Sequence, residues 1–133
     1  MKLSLSIGDK LSSAEGIWVE YDADVSFKIR YASPEIIRGI RKGHIKKSWR
    51  NSERVEIVNE VAFDEDLWDK MIEDWKGITE GIGEGEVPAP CNKANKLKLI
   101  AISAEHGNFI LENARDLSNF SNIQQEDKEL KNL

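Results

Sequence analysis

A chain of 133 residues with 40% apolar and 32% charged content suits one soluble domain, burying roughly two-thirds of its unfolded surface in a single core. The lone cysteine, Cys91, rules out an intramolecular disulfide and weighs against a cysteine-based zinc site. No stretch approaches the roughly 18 apolar residues of a membrane span, and Asp9 interrupts the N-terminus before a signal core could form, so the expectation is a cytoplasmic protein. The net charge of −5 conceals a split. Residues 28–50 hold Lys28, Arg30, Arg38, Arg41, Lys42, Lys46, Lys47 and Arg50 against the single acid Glu35, and acids dominate from Glu53 onward. Such asymmetry suits partner docking or stacking of like subunits.

In chain order, Leu3, Leu5 and Ile7 alternate with polar residues as in a short strand, which Gly8-Asp9-Lys10 ends. Ile17, Val19 and Tyr21 alternate next, then Val25, Phe27, Ile29 and Tyr31, and the short Asp22-Ala23-Asp24 link makes the pair a hairpin. An isolated hairpin is marginal in water, so its apolar face should lie against helices. Ser33-Pro34 opens a helix running to about Lys42: the serine can accept from a free backbone N–H, and proline suits the first helical position. Ile36, Ile37 and Ile40 give that helix its stripe, and Arg38, Arg41 and Lys42 sit where the helix dipole favours cations.

Residues 44–62 send two signals, since Val55, Ile57 and Val58 fit a strand while Glu53, Glu56 and Glu60 fit a helix; the reading is a loop followed by a short helix or strand. Asp64, Glu65 and Asp66 then read as the acidic start of a helix carrying Leu67, Trp68, Met71, Ile72 and Trp75, with Gly77 as its C-terminal cap. Residues 79–87 are glycine-rich and charged, a flexible turn before Pro88 and Pro90. Asn92 caps a third helix, which ends near Ser103 and bears Ala94, Leu97, Ile100 and Ala101, widened by Leu99 and Ile102. A last helix spans about His106–Phe120 with Phe109, Ile110, Ala114, Leu117 and Phe120.

The candidates for chemistry are sparse. His44, His106 and Cys91 share no helix turn or close loop, so they form a metal or nucleophile site only if the fold gathers them. Gly81, Gly83 and Gly85 follow no predicted strand, lack a closing Lys-Ser/Thr and stand among Glu80, Glu84 and Glu86, which repel phosphate. Asp22 and Asp24 read as turn residues rather than calcium ligands. Trp68 and Trp75, seven apart, read as core. Trp18 alternates with Glu20 on the face opposite Val19 and Tyr21, and either packs under a helix or stands exposed to bind a partner. Lys46-Lys47-Ser48-Trp49-Arg50 joins phosphate-attracting charge to an aromatic that could stack on a base, while the overall acidity weighs against a polyanion.

The run Trp75-Lys76-Gly77-Ile78, a glycine and acid turn, then Pro88-Ala89-Pro90-Cys91-Asn92 opening a helix resembles small proteins of the tail modules of long-tailed phages and prophages, particularly tail assembly chaperones. Gly16-Ile17-Trp18-Val19-Glu20-Tyr21-Asp22, then Phe27-Lys28-Ile29-Arg30-Tyr31, then the helix after Ser33-Pro34 are similar too. The resemblance implies a non-enzymatic protein of the bacterial host's cytoplasm, with no cofactor or catalytic residue to carry over. It would bind the tape-measure protein, keep it soluble and help recruit tail-tube subunits. Such chaperones are mainly helical, so the hairpin here also fits another minor tail or head-to-tail protein.

The combined expectation is a single α+β domain over residues 1–120, an N-terminal antiparallel β-hairpin or three-stranded meander packed on about four α-helices, with a polar tail over 121–133. Candidate partner-binding residues are Trp18, Arg38, Arg41, Lys46, Lys47, Trp49 and Arg50. The tape-measure protein is the expected partner and a homo-oligomer is compatible. The alternative is a nucleic-acid-binding or regulatory module built on residues 28–50.

Overall fold

The structure, a computed structural model describing residues 5–6, 10–11 and 14–120, is α+β. The anticipated hairpin consists of β1 (Ile17–Glu20) and β2 (Ser26–Ile29), antiparallel with Ile17 opposite Ile29 and Glu20 opposite Ser26. Its turn is built by Asp22, whose carboxylate accepts from the backbone N–H groups of Asp24 and Val25 at 2.8 and 2.9 Å. These aspartates are turn residues, as their spacing suggested.

The helix α1 (Pro34–Lys42) has the anticipated bounds, and the Ser33 hydroxyl accepts from Ile36 N–H at 3.2 Å. Next comes a second hairpin, β3 (Ile45–Arg50) and β4 (Glu53–Val58), where a loop and a short element were expected. Its two-residue loop, Asn51-Ser52, has φ of 51° and 66°, the paired positive φ of a tight hairpin turn whose twist matches its strands.

The following helix corrects the sequence reading at both ends. It is α2 (Glu60–Met71), capped by the Asn59 side chain, so Asp64, Glu65 and Asp66 lie within it rather than at its start. Residues from Ile72 leave the helix as β5 (Ile72–Lys76), which pairs antiparallel with β2 and makes the sheet order β1-β2-β5. The third strand is therefore this one. The strand expected from Leu3, Leu5 and Ile7 lies largely outside the described residues, and Leu5 and Ser6 form a turn.

The false continuation of the helix has a physical cause. Ile29 stands opposite Ile72, and Lys28 opposite Asp74, leaving Glu73 as the extra residue of a bulge. The bulge brings Ile72 and Trp75 to the same buried side three residues apart, which mimics helical spacing. Gly77 is consequently no helix cap. At φ +84°, it passes so close to β2's turn that a Cβ there would lie 2.0 Å from the Asp24 carbonyl oxygen.

The acidic segment expected to be a flexible turn is a small flap, β6 (Thr79–Glu80) paired with β7 (Val87–Pro88) through a short 3-10 turn at Gly83–Gly85. The helix α3 (Lys93–Ile102) begins at its Asn92 cap as expected. However, its inner face is rotated from the expected stripe: Lys96 and Leu99 are buried, whereas Ala94, Ala101 and Ile102 are exposed. Lys96 tolerates this position because its ammonium donates to the Asp69 carboxylate at 2.9 Å and to the Asp69 carbonyl at 3.1 Å, which meets the need of a buried charge for paired, hydrogen-bonded surroundings. The helix α4 (Ala104–Arg115) starts at the Ser103 cap and yields to a 3-10 turn at Leu117–Phe120. The polar tail expected over 121–133 lies outside the described residues.

The core sits between the inner face of β1-β2-β5 and helices α2, α3 and α4. Phe27, Ile29, Met71, Ile72 and Ile110 are fully buried, with Phe63, Leu67, Trp75, Leu99 and Ala114 around them. Trp68 packs partly buried against the same core.

Candidate functional site

The Trp75–Asn92 run, which carries the resemblance, proves to be a corner. The Trp75 indole N–H donates to the Ala89 carbonyl at 2.9 Å inside the core, and Ala89 N–H donates to the Ile78 carbonyl at 2.9 Å. A buried indole needs such a partner for its N–H. The motif therefore ties the end of the sheet to the start of α3 and positions the flap between them.

The basic stretch divides by role. Lys28 and Arg30 converge on Glu73, the bulge residue, with Lys28 Nζ at 2.7 Å and Arg30 Nε at 3.0 Å, and Gly16 N–H also donates to that carboxylate. Burial would raise the Glu73 pKa, but the Lys28 hydrogen bond, the Gly16 N–H and the Arg30 charge together hold it below the usual carboxylate range. Arg41 pairs with Glu60 at 3.2 Å and lies over the Phe63 ring, 5.7 Å from its centroid. These three cations belong to the body of the fold. Arg38, Lys46, Lys47 and Arg50 are exposed, and none forms an ion pair with another described residue.

Lys46, Lys47, Trp49 and Arg50 all lie on β3. The hairpin they belong to contains no buried residue on either strand, and Trp49 is 72% exposed. Alternation places Lys47, Trp49, Arg54 and Glu56 on one face and Lys46, Arg50, Glu53 and Ile57 on the other, with Lys47 opposite Glu56, Trp49 opposite Arg54 and Arg50 opposite Glu53. The pairing places an acid on each face. This dilution of positive charge was invisible while residues 28–50 were read without their β4 partner.

The hairpin is firmly mounted at its root. His44 N–H donates to the Arg41 carbonyl and the His44 carbonyl accepts from Asn59 N–H, each at 3.0 Å, while its ring Nε2 meets Asp66 Oδ2 at 2.6 Å. Asp66 also takes the Lys93 ammonium at 2.5 Å, and this bond, then that of His44, lowers its pKa. A shallow cleft of about 520 Å³ lies here, lined by Arg30, His44, Asp66, Asp69 and Lys70 among others; its charges are mixed. The other two candidates for chemistry have separate surroundings: His106 Nδ1 faces the Leu99 carbonyl at 3.1 Å, and Cys91 is partly buried, its thiol pKa raised chiefly by burial. The fold does not gather the three.

Trp18 takes the exposed one of the two expected forms. It is 41% exposed and is covered by the Lys76 ammonium, 4.2 Å from its ring centroid, a cation–π contact that partly satisfies an aromatic on the outer sheet face. No described helix is long and apolar enough to cross a membrane.

No protein-family profile, curated protein or solved structure matches this chain.

Proposed function

We propose that the chain is a non-enzymatic interaction protein of a phage or prophage tail module, acting in the host cytoplasm as a tail assembly chaperone for the tape-measure protein, with the β3–β4 hairpin as its contact surface. The observation behind this reading is the hairpin itself, which holds an exposed tryptophan on twelve strand residues of which none is buried. Tryptophan and arginine are the residues that most often dominate protein interfaces, and here Trp49 faces Arg54 across the strands. Among the described residues no further strand pairs with either outer edge, so an extended segment can add to the hairpin or an amphipathic helix can lie across it. The resemblance of the Trp75–Asn92 corner supplies the identity of the partner.

Nucleic-acid binding is the second reading, favoured by Trp49 standing on one face with Lys47 and Arg54. Glu53, Glu56 and the net charge of −5 weaken it. The first reading expects a very long helical protein to be encoded beside this gene, and co-expression with it is the test: the partner should become soluble and co-purify, and Trp49→Ala with Ile57→Ser should abolish both effects. Absence of such a neighbouring gene, or an insoluble partner, would overturn it. A salt-sensitive gel shift lost on changing Lys46, Lys47 and Arg50 would establish the second reading instead.

A further inference from the structure

The flap opposes the hairpin in sign and matches it in exposure. Ile82 at its tip is 96% exposed and Val87 is 53% exposed, an apolar pair on an ordered two-stranded element. Around them stand Glu80, Glu84 and Glu86, whose described contacts are neutral: Asn95 donates to Glu80 and the Thr79 hydroxyl to Glu86. No described cation pairs with any of the three. Gly81 keeps the flap narrow, since at φ +82° a Cβ would come within 2.4 Å of the Gly85 carbonyl oxygen.

We infer that the β3–β4 hairpin of one copy docks on the β6–β7 flap of a second copy. The occupant follows from complementarity within the one sequence: on one face of the hairpin Trp49 has exposed apolar side chains to cover in Ile82 and Val87, and Lys47 and Arg54 beside it meet Glu80, Glu84 and Glu86, carboxylates with which no described cation pairs. Because the two patches differ, the contact is heterologous, and it can link copies in a row. Each element is small beside the roughly 800 Å² per partner of a stable interface, so association is weak, concentration-dependent and sensitive to salt. The contact shares the hairpin with the proposed tail role but also requires the flap, so changes in the flap separate the two ideas.

Analytical ultracentrifugation of the full chain and two charge-reversed variants provides the test. One variant carries Lys47→Glu and Arg54→Glu; the other carries Glu80→Lys, Glu84→Lys and Glu86→Lys. All these side chains are exposed, and circular dichroism verifies that each variant is folded. The average mass of the unmodified chain should rise with concentration at low salt and return to that of a monomer near 1 M salt, where screening acts over about 3 Å. Each variant alone should be monomeric, and an equimolar mixture should associate, because reversed hairpin then meets reversed flap. A wild-type chain that stays monomeric, variants that associate as it does, or a mixture that remains monomeric would overturn the inference. Tape-measure capture that survives the flap variant leaves the tail reading standing whatever the copies do.

Discussion

The two long-stranded hairpins of this chain use similar alternation and end in opposite situations. In β1–β2, Phe27 and Ile29 are buried to the last square ångström, because three helices cover one face and β5 pairs along the free edge of β2. In β3–β4, no strand residue is buried, and order rests on the tight Asn51-Ser52 turn, the cross-strand pairs and the root at His44. The difference is one of partners rather than of strand propensity: a hairpin without a core to cover it gains most by covering something else.

The packed side of this comparison breaks most easily at Gly77. Gly77→Ala would force a side chain into a positive-φ residue and onto the Asp24 carbonyl, and the expected loss is about 3 kcal/mol or more, read as a lowered denaturant midpoint. The hairpin's own residues should then unfold with the body, since they have no core of their own.

Glu73→Gln tests the bulge with a smaller effect. Removing the charge that Lys28, Arg30 and Gly16 converge on should cost about 1–2 kcal/mol near neutral pH. The sign with pH follows from the lowered pKa: the stabilisation is present above the ordinary glutamate value of about 4.3 and is lost as pH falls through the lower folded value. Stability of the native chain and of Glu73→Gln should therefore converge on acidification below about pH 4. A difference that stays constant down to pH 2–3 would refute the charge-based account.

What was legible in the sequence follows the same division. The caps at Ser33 and Asn92 and the aspartate turn were readable because each is local: a side chain bonds to the backbone two or three residues away. Strand β5 was not, because a bulge gave it helical spacing, and no local signal announces a bulge whose partner strand lies more than 40 residues earlier. Hairpin β3–β4 was hidden differently. Its Asn51-Ser52 turn lacks the glycine that usually marks two positive-φ residues, and its charges mask the alternation. The inner face of α3 was misjudged because Lys96 is buried through Asp69 on another helix. Of the candidate site, Trp18, Arg38, Arg41, Lys46, Lys47, Trp49 and Arg50 are all exposed, with Arg41 paired to Glu60 and Trp18 under the Lys76 ammonium. The acids opposite Lys47 and Arg50 required knowledge of the register.

Ser52→Gly sharpens the comparison from the exposed side. Ser52 sits at φ 66°, a strain that glycine does not suffer, so the turn should gain about 0.5–1 kcal/mol. A hairpin with no buried residue should open locally before the core does, so the gain should slow amide exchange on β3 and β4 by roughly 2- to 5-fold with little change in the rest of the structure. Equal slowing on β2 and β5 would mean that the two hairpins form one cooperative unit.

The smallest stability effect is expected where the largest functional one is proposed. Trp49→Ala removes a side chain that is already mostly in water, so the change in unfolding free energy should stay within about 0.5 kcal/mol. Ordinary surface substitutions that leave stability unchanged also leave function unchanged, and this one should not: capture of the tape-measure protein should fall at least tenfold, as expected when an interface loses its central aromatic. A loss of more than about 2 kcal/mol in stability would instead place Trp49 among packed residues, and would identify the hairpin as part of the body rather than an arm extended to a partner.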